Sequence, residues 1–280
     1  GCFAQARHAL YVWAVMHWFV LVYVAGRIGN AFTGDAEQKR VKNKRLAGRT
    51  IRRAMQTLGA CFIKLGQVMS TRPDRFDPEV IAELRLLQDK LPAFPFAQVK
   101  PIVEAGLGKK LSDVFAEFDE QPVAAASVAQ VHRAVLKDGR EVAVKVLRPG
   151  VREQIQRDGS FLVLSAKLAA LHPALKLSDP VGFMNDFVDG LSRQTDLRIE
   201  AQNYDRFRTN FADDPRIAFP AVHHELTSEH VLIMEFVRGV KVGALGPGDH
   251  TELARTLREA SMRMSLKDGF VHADMHPGNM

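Results

Sequence analysis

The stretch HADMHPGNM, at residues 272–280, holds the side chains of this sequence that are best suited to chemistry. His272, Asp274 and His276 alternate, so a strand would place all three on one face, as some metal sites require. The proline and glycine that follow argue against a strand. The same stretch fits the spacing H-x-D-x-x-x-x-N of phosphoryl-transfer sites, in which Asp274 accepts or orients a hydroxyl proton and Asn279 binds magnesium. The motif alone leaves both chemistries open.

Two residues far upstream favour phosphoryl transfer. The stretch EVAVKV presents Lys145 in the V-A-x-K context that pairs with nucleotide phosphates in kinases. Glu200, in DLRIEAQN, is the candidate acid that would hold this lysine extended. Each alone is an ordinary residue type for its element, but their order before the H-x-D motif matches a kinase. We therefore predict that Lys145, Glu200 and Asp274 are catalytic, with the Lys145 and Glu200 charges within about 4 Å in a partly buried pair.

Two further stretches would contact a nucleotide. Where a protein kinase has G-x-G-x-x-G over the phosphates, this sequence has three alanines and a serine, Ala124, Ala125, Ala126 and Ser127. Alanine does not adopt positive φ cheaply, and its methyl group keeps a ligand away from the backbone. We therefore predict that this loop binds the phosphates differently from the glycine-rich loop of a protein kinase. The stretch VLIMEFVRG runs into a hinge from Glu235 to Val237, where an adenine ring would dock on main-chain groups.

The elements that must position these residues begin with helices. Apolar residues recur at helical spacing over 51–69, and the opposite face carries Lys64 and Gln67, three positions apart and able to act on one target. Spacing alone equally fits a solvated face. Further helices are predicted over 78–88 and 96–105.

The pattern then changes to short β-like runs. Stretches at 128–136 and 141–147, joined at Asp138-Gly139, predict an antiparallel hairpin. The rest predicts two helices within 151–211 broken near 172–180, strands over 221–226 and 230–237, and a helix over 252–267. This is an α-rich α+β pattern with a small antiparallel sheet.

Residues 9–26 are apolar on every side except His17, and residues 39–53 carry eight positive charges and no negative one. Three interpretations compete for the apolar segment: a spanning helix, an interfacial helix and a buried helix of a soluble fold. The basic stretch that follows favours membrane association, although such a stretch would also suit nucleic acid. Cys2 and Cys61 have no CxxC spacing, which fits a reducing compartment.

In combination these motifs resemble the UbiB family of atypical protein-kinase-like proteins, also called aarF-domain kinases. The resemblance rests on KLGQ, AAAS, VAVK, Glu200 and HADMHPGN, and runs from about residue 50 to the end. It implies a kinase-like fold with an N-terminal helical extension that lays the K-x-G-Q helix across the active site. It also implies ATP or ADP binding with a divalent metal such as Mg²⁺, membrane attachment, and support of ubiquinone or related isoprenoid-lipid biosynthesis.

The resemblance gives Lys64 and Gln67 a gating role over the nucleotide pocket. The family usually has an E-x-D acid pair before the lysine-pairing glutamate, whereas this sequence has Gln194 and Asp196. We expect Lys64 to contact Asp196 and the amide of Gln194. Because a neutral amide cannot form a salt bridge, this contact should be weaker than one with two carboxylates. The resemblance also implies a D-F-G aspartate beyond Asn279, so we expect the C-lobe to be incomplete here and this stretch alone to be inactive.

We expect four regions: an apolar membrane-associated segment (1–30), a basic stretch and helical extension with the K-x-G-Q motif (31–110), a kinase-like N-lobe with a helical insertion (111–240), and the start of the C-lobe (241–280).

The favoured function is an atypical kinase or ATPase that supports ubiquinone biosynthesis. Alternatives are a nucleotide-binding pseudokinase or lipid-access protein without phosphotransfer to protein and, remotely, a metal-dependent hydrolase using the H-x-D-x-H cluster. Expected partners are a nucleotide, a membrane lipid or isoprenoid quinone precursor and quinone-biosynthesis enzymes, with no nucleic acid and a homodimer left open. The expected location is the cytoplasmic face of a bacterial inner membrane, or the mitochondrial inner membrane in a eukaryote.

Overall fold

The computed structural model describes residues 2–32, 34–87, 92–172, 179–240, 242–246 and 248–272. Its N-terminal part is helical, with α1 (Cys2–Ala31), α2 (Ala36–Leu58), α3 (Ala60–Ser70), α4 (Pro78–Leu84), α5 (Phe96–Leu107) and α6 (Leu111–Val114). Within the described residues, one helix is long and apolar enough to cross a membrane, over Arg7–Ala31, and only 6% of its most apolar window is buried. Within the described residues this segment is therefore a largely exposed helix.

The predicted single helix over 51–69 is two helices. It breaks at Gly59, whose φ of 102° lies in the region that only glycine adopts without strain. Two other boundaries also shift. The helix predicted to reach 88 ends at Leu84. The helix predicted to stop at Gly106 continues to Leu107 and ends at Gly108, which adopts a left-handed conformation.

An antiparallel sheet follows, built from β1 (Phe115–Phe118), β2 (Ala124–Ala125), β3 (Ala129–Leu136), β4 (Glu141–Leu147) and β5 (Val231–Glu235). The strand order is β1-β3-β4-β5, with β2 on the same edge of β3 as β1. The predicted β3–β4 hairpin is confirmed, and Gly139 supplies the positive φ of its turn, 87°. The α+β prediction is confirmed.

The remaining helices are α7 (Val151–Ala169), α8 (Pro180–Arg193), α9 (Leu197–Asn210) and α10 (Thr251–Leu266). The region 151–211 thus contains three described helices where two were predicted. The extra break lies at Thr195, which is buried and whose hydroxyl and carbonyl oxygens accept hydrogen bonds from Arg152. A contact from another helix therefore ends α8, which local sequence does not reveal.

The strand predicted over 221–226 is also wrong. Val222 makes a single bridge to Met234, and His224–Leu226 forms a turn of 3₁₀ helix. Thr227 follows this turn and its hydroxyl accepts a hydrogen bond from the backbone N–H of Ile233. The segment therefore lies beside β5 without continuing the sheet.

The sheet separates two apolar clusters. Val142, Val144 and Val146 of β4 point to the α5 side, where they pack against Val99 and Val103. On the opposite face, Ala129, Leu147 and Leu232 pack with residues of α3, α7 and α9. Because side chains alternate along a strand, Lys145 lies on this second face, among the helices.

Candidate functional site

Lys145 and Glu200 meet, although 55 positions separate them in sequence. The Lys145 Nζ donates to Glu200 Oε1 and Oε2, both at 2.7 Å. Their side chains are 26% and 31% exposed, so the pair is partly buried. The predicted contact is confirmed, and it requires the placement of α9 against β4 that the kinase interpretation demanded.

The sheet register fixes Lys145. Lys145 pairs with Val131 of β3 and Leu232 of β5, and Val131 in turn pairs with Ala124 of β2. Directly opposed residues share a face in an antiparallel sheet. Ala124, Val131, Lys145 and Leu232 therefore form one row across four strands, with the lysine among apolar neighbours.

The first turn of α9 fixes Glu200. Asp196 caps this helix by accepting from the backbone N–H of Arg198, and the N–H of Leu197 donates to the Glu229 carbonyl at 2.9 Å. Leu197 and Ala201 are 1% exposed and belong to the same cluster as Leu232. The buried flank of α9 thus holds Glu200 toward β4.

Tyr204 lies one turn beyond Glu200 and was not singled out in the sequence. Burial, together with the nearby Glu200 carboxylate, raises the pKa of its phenol to about 12. Tyr204 is partly buried against the same apolar cluster. Tyr204 therefore stays neutral near pH 7, and its ring packs against the apolar cluster one helical turn from Glu200.

The alanine-rich loop begins as the edge strand β2 and turns back into β3. The Ala126 N–H donates to the Ala129 carbonyl at 2.8 Å. The only described non-glycine residue with a positive φ is Asp179, so Ala124, Ala125, Ala126 and Ser127 avoid the glycine-favouring region. Ser127 is fully buried, and among the described residues its hydroxyl has no hydrogen-bond partner. The loop therefore turns from β2 into β3 without a positive φ, and it lies at the Lys145 end of the sheet.

Arg148 holds this loop in place, and sequence inspection missed it. Its guanidinium donates to the carbonyls of Ala126 and Pro92, both at 3.0 Å, and lies 5.3 Å from the centre of the Phe94 ring. Burial lowers the pKa of this arginine. The only hint in the sequence is a basic residue just after β4, which is too common a feature to single out.

The predicted hinge lies where β5 ends. Glu235 is the last residue of β5, and its carboxylate accepts from the Ala221 N–H at 3.2 Å. Val237 is 61% exposed. Lys145 pairs with Leu232, three residues before Glu235, which places the hinge roughly 10 Å along the strand. This distance suits a ligand whose base and phosphates lie at opposite ends of one sheet face.

The predicted gating residues lie on three elements. Lys64 and Gln67 are on α3, and the Gln67 amide donates to the Leu87 carbonyl at 3.2 Å. Gln194 ends α8. Asp196 accepts hydrogen bonds from Arg198, which lower the pKa of the carboxyl. The Lys64 contact with Asp196 and Gln194 stays a prediction.

The closing motif falls largely outside the described residues, which end at His272; Asp274, His276 and Asn279 lie beyond them. His272 is exposed, and its ring centre lies 6.0 Å from that of Phe207. Phe207 stacks on Phe219, with ring centres 4.9 Å apart, and its ring centre lies 4.7 Å from that of Phe270.

Residues 86–280 match the ABC1 atypical kinase-like domain. The chain belongs to the UbiB (ABC1) family of atypical kinase-like proteins. The resemblance seen in the sequence motifs is thereby confirmed.

Relatives of this UbiB-family chain include bacterial and plant proteins. A probable protein kinase UbiB of Pseudomonas fluorescens is 41% identical over 239 residues, covering 83% of this chain and 45% of the relative. The chloroplastic protein Activity of BC1 Complex Kinase 7 of Arabidopsis thaliana is 39% identical over 252 residues, covering 88% of this chain and 36% of the relative. The chain therefore spans less than half the length of either protein.

A solved structure has the same architecture. The complex of Rv3197 with erythromycin, from Mycobacterium tuberculosis, is similar with a TM-score of 0.58 and 32% identity, over 67% of this chain and 48% of that chain. The kinase-like fold prediction is confirmed.

Proposed function

We propose that this chain supplies the nucleotide-binding part of an atypical kinase or ATPase that uses ATP with Mg²⁺. The observation that carries the proposal is the Lys145–Glu200 pair at 2.7 Å, on the face of the sheet next to the alanine-rich loop. In kinases, such a pair must be in place before the phosphates are aligned.

The geometry of the pair suits phosphate binding. A lysine ammonium has three N–H donors, and Glu200 accepts from Lys145 through both carboxylate oxygens. With a quarter of its side chain exposed, Lys145 keeps donor capacity for an anion that approaches along the sheet. Glu200 therefore acts as a positioning residue, and Lys145 as the phosphate ligand.

The alanine-rich loop would determine how closely the protein contacts the phosphates. Ala124 to Ser127 would lie over the phosphate end of the ligand, held by Arg148, and main-chain groups from Glu235 to Val237 would bind the base. Methyl groups on this loop limit how closely the γ-phosphate approaches backbone N–H groups. This feature supports a second candidate function, in which nucleotide binding drives a lipid or protein rearrangement without phosphotransfer to protein.

Asp274 and Asn279 would complete the site. Asp274 is proposed as the catalytic or water-orienting acid and Asn279 as a ligand of Mg²⁺, which would neutralise charge on the phosphates. Lys64, Gln67, Gln194 and Asp196 are proposed to gate access from the helical extension. The roles of all six residues rest on the motif match.

The setting proposed for this activity is a membrane, in support of ubiquinone biosynthesis. An exposed apolar helix, α1, precedes a basic helix, α2, which supports association with an anionic surface. The link to ubiquinone comes from membership of the UbiB family. An isoprenoid quinone precursor or another membrane lipid is the proposed small-molecule partner.

The test is to incubate the full-length protein, which includes the rest of the C-lobe, with ATP labelled at the γ-phosphate, Mg²⁺, and vesicles with or without an isoprenoid phenol. A kinase transfers label to protein or lipid, whereas an ATPase releases it as inorganic phosphate. Lys145→Met should remove either signal, and Lys137→Met, in the β3–β4 turn, should preserve it. Neither transfer nor release of label, with ATP still bound, would support the second candidate function.

A further inference from the structure

Helices α1 and α2 form an antiparallel hairpin. Tyr11 Oη donates to the Thr57 carbonyl at 3.3 Å, and Asn30 Nδ2 donates to Asn43 Oδ1 at 3.0 Å. Between these two contacts, Gly26 lies so close to Leu46 that a Cβ at Gly26 would come within 2.6 Å of the leucine side chain. The two helices therefore run side by side along most of the apolar segment.

Helix α2 is also fixed to the folded domain. Lys44 and Arg52 form ion pairs with Asp77 and Glu83 beside and on α4, at 2.6 and 3.1 Å. A Cβ at Gly48 would lie 2.9 Å from the Cα of Val80, so the backbones of α2 and α4 nearly touch. Helix α2 therefore cannot leave the folded domain without breaking this packing.

The free faces of the hairpin differ in character. Helix α1 exposes large apolar side chains, including Leu10, Leu21 and Ile28, at 64%, 64% and 59%. Helix α2 exposes Arg45, Arg49 and Arg53, which recur every fourth residue and so form one stripe. Of these, Arg49 lies 3.6 Å from Glu83. An apolar face beside a cationic stripe is the chemistry of an anionic lipid surface.

The hairpin geometry disfavours a spanning helix. The antiparallel contacts place the arginine stripe alongside residues 18–27 of α1, which would occupy the middle of the hydrocarbon if α1 crossed the bilayer. Charged side chains at that depth are strongly disfavoured. We infer that α1 lies in the plane of the membrane interface, with its apolar face in the acyl boundary and Arg45, Arg49 and Arg53 on anionic headgroups. This inference rests on the proposed membrane association and fixes its orientation.

Single tryptophans test the orientation. The chain has two tryptophans, Trp13 and Trp18, both on α1. In a Trp13→Phe/Trp18→Phe background of the protein, Leu10→Trp, Leu21→Trp and Ile28→Trp place reporters on one helix face over about 27 Å. Quenching by lipids brominated at graded acyl depths should give the same shallow depth at all three positions. A depth that runs from one surface through the centre to the other would overturn the inference.

Two further results of this experiment would count against the inference. Vesicle binding without quenching at any of the three positions would place the anchor outside α1. No binding to vesicles would remove the membrane association on which the inference rests. ATP affinity, measured on the same protein, is a separate readout of the nucleotide site, so failure of the interface and failure of the proposed activity are distinguishable.

A charge variant tests the arginine stripe. Arg45→Gln/Arg53→Gln should weaken binding to vesicles containing phosphatidylglycerol by roughly 25-fold, at about fivefold per arginine, and should leave binding to neutral phosphatidylcholine vesicles unchanged. The matched control, Lys100→Gln/Lys109→Gln, removes the same charge from exposed positions in and after α5. Equal losses in the two variants would show that net charge, not the stripe, drives binding and would contradict the headgroup contact.

Discussion

At the scale of single residues, the Lys145–Glu200 pair matters more for geometry than for stability. Ion pairs with partly exposed partners stabilise a fold by about 0–1 kcal/mol. The pair is 26% and 31% exposed, so a purely structural role would leave it almost neutral to substitution. Its value lies in holding one ammonium group extended beside the alanine-rich loop.

Glu200→Gln separates these two roles. The amide keeps the size of the side chain but removes the charge that orients Lys145, so we expect ATP affinity to fall several-fold while the free energy of unfolding changes by less than about 1 kcal/mol. Calorimetric titration and urea unfolding measure the two quantities. Glu120→Gln, an exposed glutamate, is the control. A loss of stability with unchanged affinity would assign Glu200 a structural role only.

The loop gives a second prediction. Ala125→Gly should relax the backbone of β2 and change the ratio of ATP to ADP affinity, because the methyl groups limit approach to the γ-phosphate. Titration with both nucleotides provides the ratio. Ala116→Gly, on the edge strand β1, makes the same chemical change away from the loop. Identical ratios in all three proteins would mean that the loop does not contact the phosphates.

His8 and Asp158 attach α1 to α7. His8 Nε2 lies 2.7 Å from Asp158 Oδ1, and Asp158 has no exposed surface. Burial raises the pKa of this carboxyl, and His8 opposes the shift. The burial effect is the larger one, so the pKa of Asp158 lies above its ordinary value and the neutral form of the carboxyl is favoured.

His8→Ala should consequently destabilise the fold by about 1–3 kcal/mol, because it leaves a buried carboxylate without its partner. Asp158→Asn in the same background should restore most of the lost stability, because a neutral amide needs no charged partner. Urea unfolding of the two variants and wild type measures this, and a double variant as unstable as His8→Ala would contradict the electrostatic explanation.

At the scale of elements, the close contact between α2 and α4 requires glycine at position 48, which has no side chain. Gly48→Ala would bring a Cβ to 2.9 Å from the Val80 backbone and should destabilise the protein by about 1–3 kcal/mol. Gly29→Ala, also within a helix, meets no atom within 4 Å and should be neutral or stabilising, since alanine is the better helix former. Thermal unfolding compares them, and equal effects would rule out the close approach.

Local rules predicted the elements that local interactions determine. The β3–β4 hairpin followed from Asp138-Gly139, and alternation placed Lys145 on one strand face. The break at Thr195 depends on Arg152, and the shape of the alanine-rich loop depends on Arg148, both through contacts distant in sequence. The Lys145–Glu200 contact is equally distant, and it was predictable only because the order of motifs matched a known fold.

At the scale of the whole molecule, the chain presents two surfaces with different chemistry. One is the Lys145 face of the sheet, enclosed by α9 and the alanine-rich loop, and the other is the α1–α2 hairpin with its apolar and cationic faces. Helix α3, which carries Lys64, contacts both α2 and α7 and so connects the hairpin to the kinase-like core.

The central claim is that Lys145 binds nucleotide phosphate, and titration of the protein with ATP and Mg²⁺ tests it most directly. Wild type should bind, Lys145→Met should lose at least about tenfold in affinity because a charge-assisted contact disappears, and Lys137→Met should match wild type. Circular dichroism establishes that the variants are folded. Unchanged affinity in folded Lys145→Met would contradict the nucleotide site proposed on this face of the sheet.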